Sequence, residues 1–190
     1  MCKRCYWANP KNPLYVKYHD EEWGVPVHND EKLFEMIVLE SFQAGLSWEC
    51  ILNKREAFKE AFDGFDVVSV AEFDESKCLS LAENQGIVRN KRKIKASITN
   101  AKIFIAIQKE FGSFDKYIWS FTDCKTVYED YSTRTTSPLS DKISADLKGR
   151  GMSFVGSTII YSYLQAIGII NAHGKECYLY KGNCYENNRT

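Results

Sequence analysis

Leu79-Ser80-Leu81-Ala82-Glu83-Asn84-Gln85-Gly86-Ile87-Val88-Arg89-Asn90-Lys91-Arg92-Lys93-Ile94-Lys95 reads as a helix, a tight hairpin and a second helix. Asp74-Glu75-Ser76-Lys77 opens the first helix, whose apolar positions are Cys78, Leu81 and Ala82, and which stops near Asn84-Gln85-Gly86. The second resumes about Arg89 and carries Ile94, Ile98, Ala101 and Ile105. Gly86 permits a positive φ, and amides left unpaired in such a turn can point at a phosphate oxygen. A turn of this kind is, taken alone, most often a plain connection between helices. The basic residues directly after it favour the phosphate reading.

From Asn84 to Lys109 the chain carries Arg89, Lys91, Arg92, Lys93, Lys95, Lys102 and Lys109 and no acid. Acids gather elsewhere, as in Asp20-Glu21-Glu22 and from Glu72 to Glu75. Formal net charge is +0, so nucleic-acid binding has to come from this local stretch.

Outward from the hairpin, the pattern stays helical. Asn29 or Asp30 can cap a helix from about Glu31 past Glu40, and another is expected from Ser47 to Phe62. Ser113–Ser120, Ser140–Lys148 and Gly156–Ile167 are further helices, and Asp123–Pro138 is a polar excursion. No set of alternating strands is evident, which predicts an all-α domain over residues 1–180 and a loose tail over 181–190. With 44% hydrophobic and 14% aromatic residues the chain is too apolar for disorder. No apolar run is long enough to span a bilayer, and Met1-Cys2-Lys3-Arg4-Cys5 lacks a signal-peptide core. Seven cysteines without a secretory signal predict a reducing cytosol rather than a disulfide framework.

Glu40 stands on a helical face with Leu33, Met36, Ile37 and Ala44. A desolvated acid must pair, take up a proton or meet a ligand that compensates it. Trp48 follows within about two helical turns. A buried acid beside an aromatic surface suits a flat, hydrogen-bonding, positively charged molecule, such as an alkylated nucleobase.

Cys5 and His19 lie near the start of the chain, His173 and Cys177 near its end at i, i+4 spacing. Two thiolates and two imidazoles fill a tetrahedral zinc shell with no open position, so such a site would be structural and would fasten the chain ends. Spacing alone leaves open whether these residues meet. Cys50, Cys78 and Cys124 read as core or surface thiols, Cys2 and Cys184 as terminal ones, and His28 as a loop residue.

Several strings resemble the DNA-3-methyladenine glycosylase I family. They are Cys5-Tyr6-Trp7, Tyr18-His19-Asp20-Glu21-Glu22-Trp23-Gly24-Val25-Pro26, Leu33-Phe34-Glu35-Met36 with Leu39-Glu40, and Gln43-Ala44-Gly45-Leu46-Ser47-Trp48. Gly86-Ile87-Val88-Arg89 and Phe154-Val155-Gly156-Ser157-Thr158 continue the match, which runs in order from Cys5 to Cys177. The resemblance implies a helix-hairpin-helix glycosylase fold, the hairpin spanning about 74–108, with one structural zinc ion held by Cys5, His19, His173 and Cys177. The zinc region would take in about 1–25 and 168–180.

The implied activity is base excision repair: a monomeric enzyme flips and hydrolytically releases 3-methyladenine from alkylated double-stranded DNA. Glu40 would be the catalytic and base-binding carboxylate of the pocket, and Tyr18, Trp48, Trp7 and Trp23 its aromatic wall. Gly86, Arg89, Lys91, Arg92 and Lys95 would meet the DNA backbone. Many relatives in the wider fold class carry an Asp after the hairpin; none stands between Gly86 and Lys109. Ser41, Phe42 and Met152 depart from the family pattern and bear on pocket shape or on the wedge against DNA. A non-catalytic, zinc-containing reader of alkylated DNA is the alternative.

Overall fold

Among the described residues, 3–129 and 134–180, the computed structural model is almost wholly helical. The helices are α1 (Pro13–Glu21), α2 (Asp30–Gln43), α3 (Trp48–Asn53), α4 (Arg55–Ala61), α5 (Val67–Ala71) and α6 (Glu75–Glu83). They continue with α7 (Lys91–Phe111), α8 (Phe114–Ser120), α9 (Pro138–Gly149) and α10 (Ser157–Ala166). Two short strands, β1 (Val127–Tyr128) and β2 (Ile170–Asn171), pair in parallel, β1 lying within the polar excursion Asp123–Pro138. Cys2, Cys184 and the tail after Tyr180 lie outside the described residues.

The core forms around α2, which packs against α3, α7, α8 and α10. Leu33, Phe34, Ile37 and Leu39 are buried on it, and Asn29 caps it by accepting from the Lys32 amide. The single helix expected over Ser47–Phe62 is two: Lys54 leaves the helical range, its amide turning to the carbonyls of Ile51 and Leu52. Ser41, Phe42 and Met152 are all buried. Phe42 packs edge-on against Phe58 at 4.8 Å, and Ser41 donates to the Phe154 carbonyl at 3.2 Å. These three residues therefore act on the core.

The chain ends meet. The Tyr178 amide donates to the Lys3 carbonyl at 2.9 Å, and the Val27 amide to that of Ile167 at 3.0 Å. Gly168 has a φ of +72°, and a Cβ there would lie 2.3 Å from the Val25 carbonyl carbon, so only glycine allows this contact. His173 and Cys177 sit in a turn closed by the Cys177 amide on the Gly174 carbonyl, rather than on a helix.

Candidate functional site

Glu40 lies at the third turn of α2 and is 3% exposed. Among the described residues no side chain or amide donates to its carboxyl, and burial pushes its pKa from 4.5 up to about 8. It borders a cavity of about 140 Å³ shared with Trp7, Tyr18, Trp23 and Trp48, so the five residues expected to form the pocket come together. The size is close to that of a cavity of roughly 150 Å³ able to take up one aromatic ring. Tyr18 and Trp48 face each other with centroids 5.2 Å apart, and Trp7 meets Trp23 edge-on at 4.7 Å. Burial, and the Glu40 charge after it, raise the Tyr18 phenol well above its ordinary pKa, so it stays neutral.

Tyr15, Gln43, Ser162 and Gln165 also line the cavity. Tyr15 and Gln43 lie one helical turn from Tyr18 and Glu40, which helical spacing could have found. Ser162 and Gln165 are polar positions in the apolar run Ile159–Ala166 and carry the same signal as Glu40 in weaker form. The Gln43 amide donates to the Leu46 carbonyl at 2.8 Å and so braces the turn leading to Trp48.

Cys5, His19, His173 and Cys177 form a buried cluster whose candidate ligand atoms all lie within 4.8 Å of one another. Cys5 Sγ and Cys177 Sγ each lie 3.5 Å from His173 Nδ1, and Cys177 Sγ lies 3.4 Å from His19 Nε2. A zinc tetrahedron with Zn–S of about 2.3 Å and Zn–N of about 2.0–2.1 Å has S···N edges of about 3.5 Å, so the donor set fits that ion. Each imidazole is oriented through its other nitrogen: His19 Nδ1 meets Asp20 Oδ1 at 2.8 Å, and His173 Nε2 meets the Trp23 carbonyl at 3.1 Å. Arg4 grips both Asp20 oxygens and holds that carboxyl well below the usual range. Burial pushes the Cys5 thiol up to about 12, with Cys177 beside it adding to the rise, and burial lowers the pKa of His19, so that it remains neutral. A bound cation would offset the cost of the two thiolates.

The hairpin differs in detail from the expectation. Gly86 is not in the left-handed region; glycine fits because a Cβ would come within 3.0 Å of Ala57 Cβ and Asn84 Oδ1. Its amide donates to Asn84 Oδ1 at 2.8 Å and is thus already engaged. Arg89, Lys91, Arg92 and Lys95 are exposed, and Lys95 pairs with Glu75 at 3.3 Å. The first turn of α7 contains no acid, although its amides make that end positive. Lys91 and Arg92 there favour an external anion. Lys93, in the same basic run, is buried instead.

A helix-hairpin-helix domain with a buried acid in an aromatic cavity is the class of protein that these elements define. The chain belongs to the methyladenine glycosylase family, whose model matches residues 7–180. It is 42% identical over 185 residues to DNA-3-methyladenine glycosylase 1 of Escherichia coli K12, covering 95% of this chain and 98% of that protein. A crystal structure of a 3-methyladenine DNA glycosylase I superposes with a TM-score of 0.89 at 42% identity, over 94% of this chain and 100% of the other. A variant of such an enzyme in complex with 3-methyladenine superposes with a TM-score of 0.85 at 35% identity, over 88% and 92%.

Proposed function

We propose that this chain is a monofunctional DNA glycosylase that releases 3-methyladenine from alkylated DNA and leaves an abasic site. The observation that carries this reading is Glu40, a buried carboxyl in an aromatic cavity to which no group among the described residues donates, in a member of the methyladenine glycosylase family. A glycosylase must first take the nucleotide out of the stack, which costs less for a damaged base. Methylation at N3 makes the attached base cationic. When the N-glycosidic bond breaks, its electron pair moves onto the ring and the base leaves neutral. Water bonds to the sugar carbon and gives its proton to solvent, so no general acid is needed.

Glu40 supplies recognition. With a pKa of about 8 it is mostly protonated at neutral pH in the ligand-free pocket. A cationic base lets it ionise and accept hydrogen bonds from the adenine edge, while Tyr18 and Trp48 stack on the ring and Trp7 and Trp23 close the wall. An unmethylated base in the duplex does not compensate the buried charge and is rejected, whereas free 3-methyladenine can take up the Glu40 proton and bind as the cation. Arg89, Lys91, Arg92 and Lys95 contact phosphates beside the hairpin, and the protein acts as a monomer. Cys5, His19, His173 and Cys177 hold one structural zinc ion, which when bound ties the terminal segments together.

The test is release of free bases from methylated duplex DNA by purified protein, resolved by chromatography, with Glu40→Gln alongside. Release of 3-methyladenine but not 7-methylguanine, lost in the variant, is the expected result. Tight binding of the alkylated DNA without release would identify a reader of damage instead.

A further inference from the structure

Among the described residues, three buried side-chain N–H groups have no hydrogen-bond partner: the indole nitrogens of Trp7 and Trp48, and Nε2 of Gln165. All three residues line the cavity that Glu40 borders. The two indoles belong to half-buried rings, whose apolar faces already account for their position. Gln165 is different. It is 3% exposed, in the last turn of α10, within an otherwise apolar stretch. The Tyr161 hydroxyl, one turn back, interacts with the side-chain amide but donates to Glu129 at 2.8 Å, and Nε2 itself meets no hydrogen-bond acceptor among the described residues.

The Gln165 backbone is held from two sides. Its carbonyl accepts from the Gly24 amide at 2.9 Å and the Gly168 amide at 3.2 Å. It is therefore fixed against the turn that follows Trp23, another residue of the cavity. A buried amide N–H with no acceptor of its own is a donor waiting for one. Glu40 borders the same cavity from α2, which packs directly against α10. An acceptor and a donor bordering one cavity match the edge of adenine, where the exocyclic amine donates and the ring nitrogens on either side accept.

We propose that Gln165 is a specificity-determining residue of the pocket: its amide N–H donates to N1 or N7 of the purine while Glu40 accepts from the neighbouring amine. This rests on the reading of the cavity as a 3-methyladenine site. Together the two groups reject guanine lesions, whose O6 would face the carboxylate, and 7-alkylated purines that lack an N7 acceptor when N7 is the atom read.

Calorimetric binding of 3-methyladenine and of its 1-deaza and 7-deaza analogues to wild type and Gln165→Leu tests the assignment. Excision from methylated DNA by the wild type runs alongside. One analogue is expected to bind the wild type about tenfold more weakly than 3-methyladenine, as one lost hydrogen bond predicts, and Gln165→Leu is expected to bind the two equally. Gln165→Met, closer in length, replaces the leucine variant if circular dichroism finds the latter unfolded. Equal binding of all three bases by wild type, or the same loss in the variant, would overturn the role of Gln165 while excision continues. Neither excision nor binding of 3-methyladenine would overturn the underlying reading, and the assignment with it.

Discussion

Lys93 Nζ lies 2.6 Å from the carbonyl oxygen of Ala44, and the same ammonium lies 2.8 Å from that of Phe42. A residue of the hairpin's second helix thereby closes the C-terminal end of the helix that carries Glu40, where free carbonyls make the helix negative. Lys93→Met is expected to lose both bonds and leave the carbonyls to find water. The cost is roughly 2–4 kcal/mol, read as a lower midpoint in urea unfolding. Base release should fall too, because the turn from Gln43 to Trp48 starts at this point. Unchanged stability would mean that solvent replaces the ammonium without loss.

Glu40 should work against folding at neutral pH. Burial raises its pKa from 4.5 to about 8, so between those values the folded state holds a proton that the unfolded chain has released. Stability from this group is complete below about pH 4.5, declines as pH rises, and levels off above about 8. Glu40→Gln removes that dependence. It should therefore be more stable than wild type at pH 8, on the order of a few kcal/mol, with the gain gone near pH 4.5. Thermal melts of both proteins across this range check the sign.

The same shift predicts how excision responds to pH. A permanently cationic base in DNA needs the ionised carboxyl, whose fraction rises about tenfold per pH unit well below its pKa. Excision of 3-methyladenine at limiting DNA should rise with pH and flatten near 8, and Glu40→Gln should be low and flat. A wild-type profile flat from pH 6 to 8 would exclude Glu40 ionisation from the step.

What could be read along the chain was whatever one element displays by itself. A lone acid among Leu33, Met36 and Ile37 marks Glu40 without any tertiary knowledge. Asn29, Asp74 and Ser113 likewise sit at helix starts and cap them as side chains of their type do. Features set by two distant segments were not legible. Lys93 belongs to a basic run and turns inward only because the end of α2 lies beneath it. Glycine is favoured at position 86 by the closeness of Ala57 and Asn84, not by its own φ. The helix α1 escapes a periodicity search because Leu14 faces solvent while His19 is buried. His19 and Cys177 are separated by most of the chain, and nothing in their spacing brings them to 3.4 Å.

The exposed cations of the hairpin should differ in weight. Lys95 pairs with Glu75, whereas Lys91 and Arg92 have no acidic partner among the described residues. Replacing Lys91 and Arg92 together by Ala should weaken binding to any duplex and reduce the slope of log K against log salt by about 2. Lys95→Ala should change it by less than about 1, because Glu75 already offsets part of the Lys95 charge. Binding isotherms from low to moderate salt, with unmodified DNA, separate the two.

The metal cluster leads to a prediction about an outer residue rather than a ligand. Asp20 orients His19 through Nδ1 and is itself held by Arg4, so Asp20→Asn keeps all four donors but weakens the brace on one. Zinc affinity, measured by competition with a chromogenic chelator, should fall about 10–100-fold. His173→Ala removes a donor outright and should leave a protein that retains no stoichiometric zinc. Chelation of the wild type should lower its melting temperature, because a bound ion would join residues from the N- and C-terminal segments. It should also weaken binding of 3-methyladenine, since Trp23 gives its carbonyl to His173 and its ring to the cavity wall. A chelated protein that melts earlier yet binds the free base with undiminished affinity would confine the ion to fastening the chain ends and detach it from the pocket.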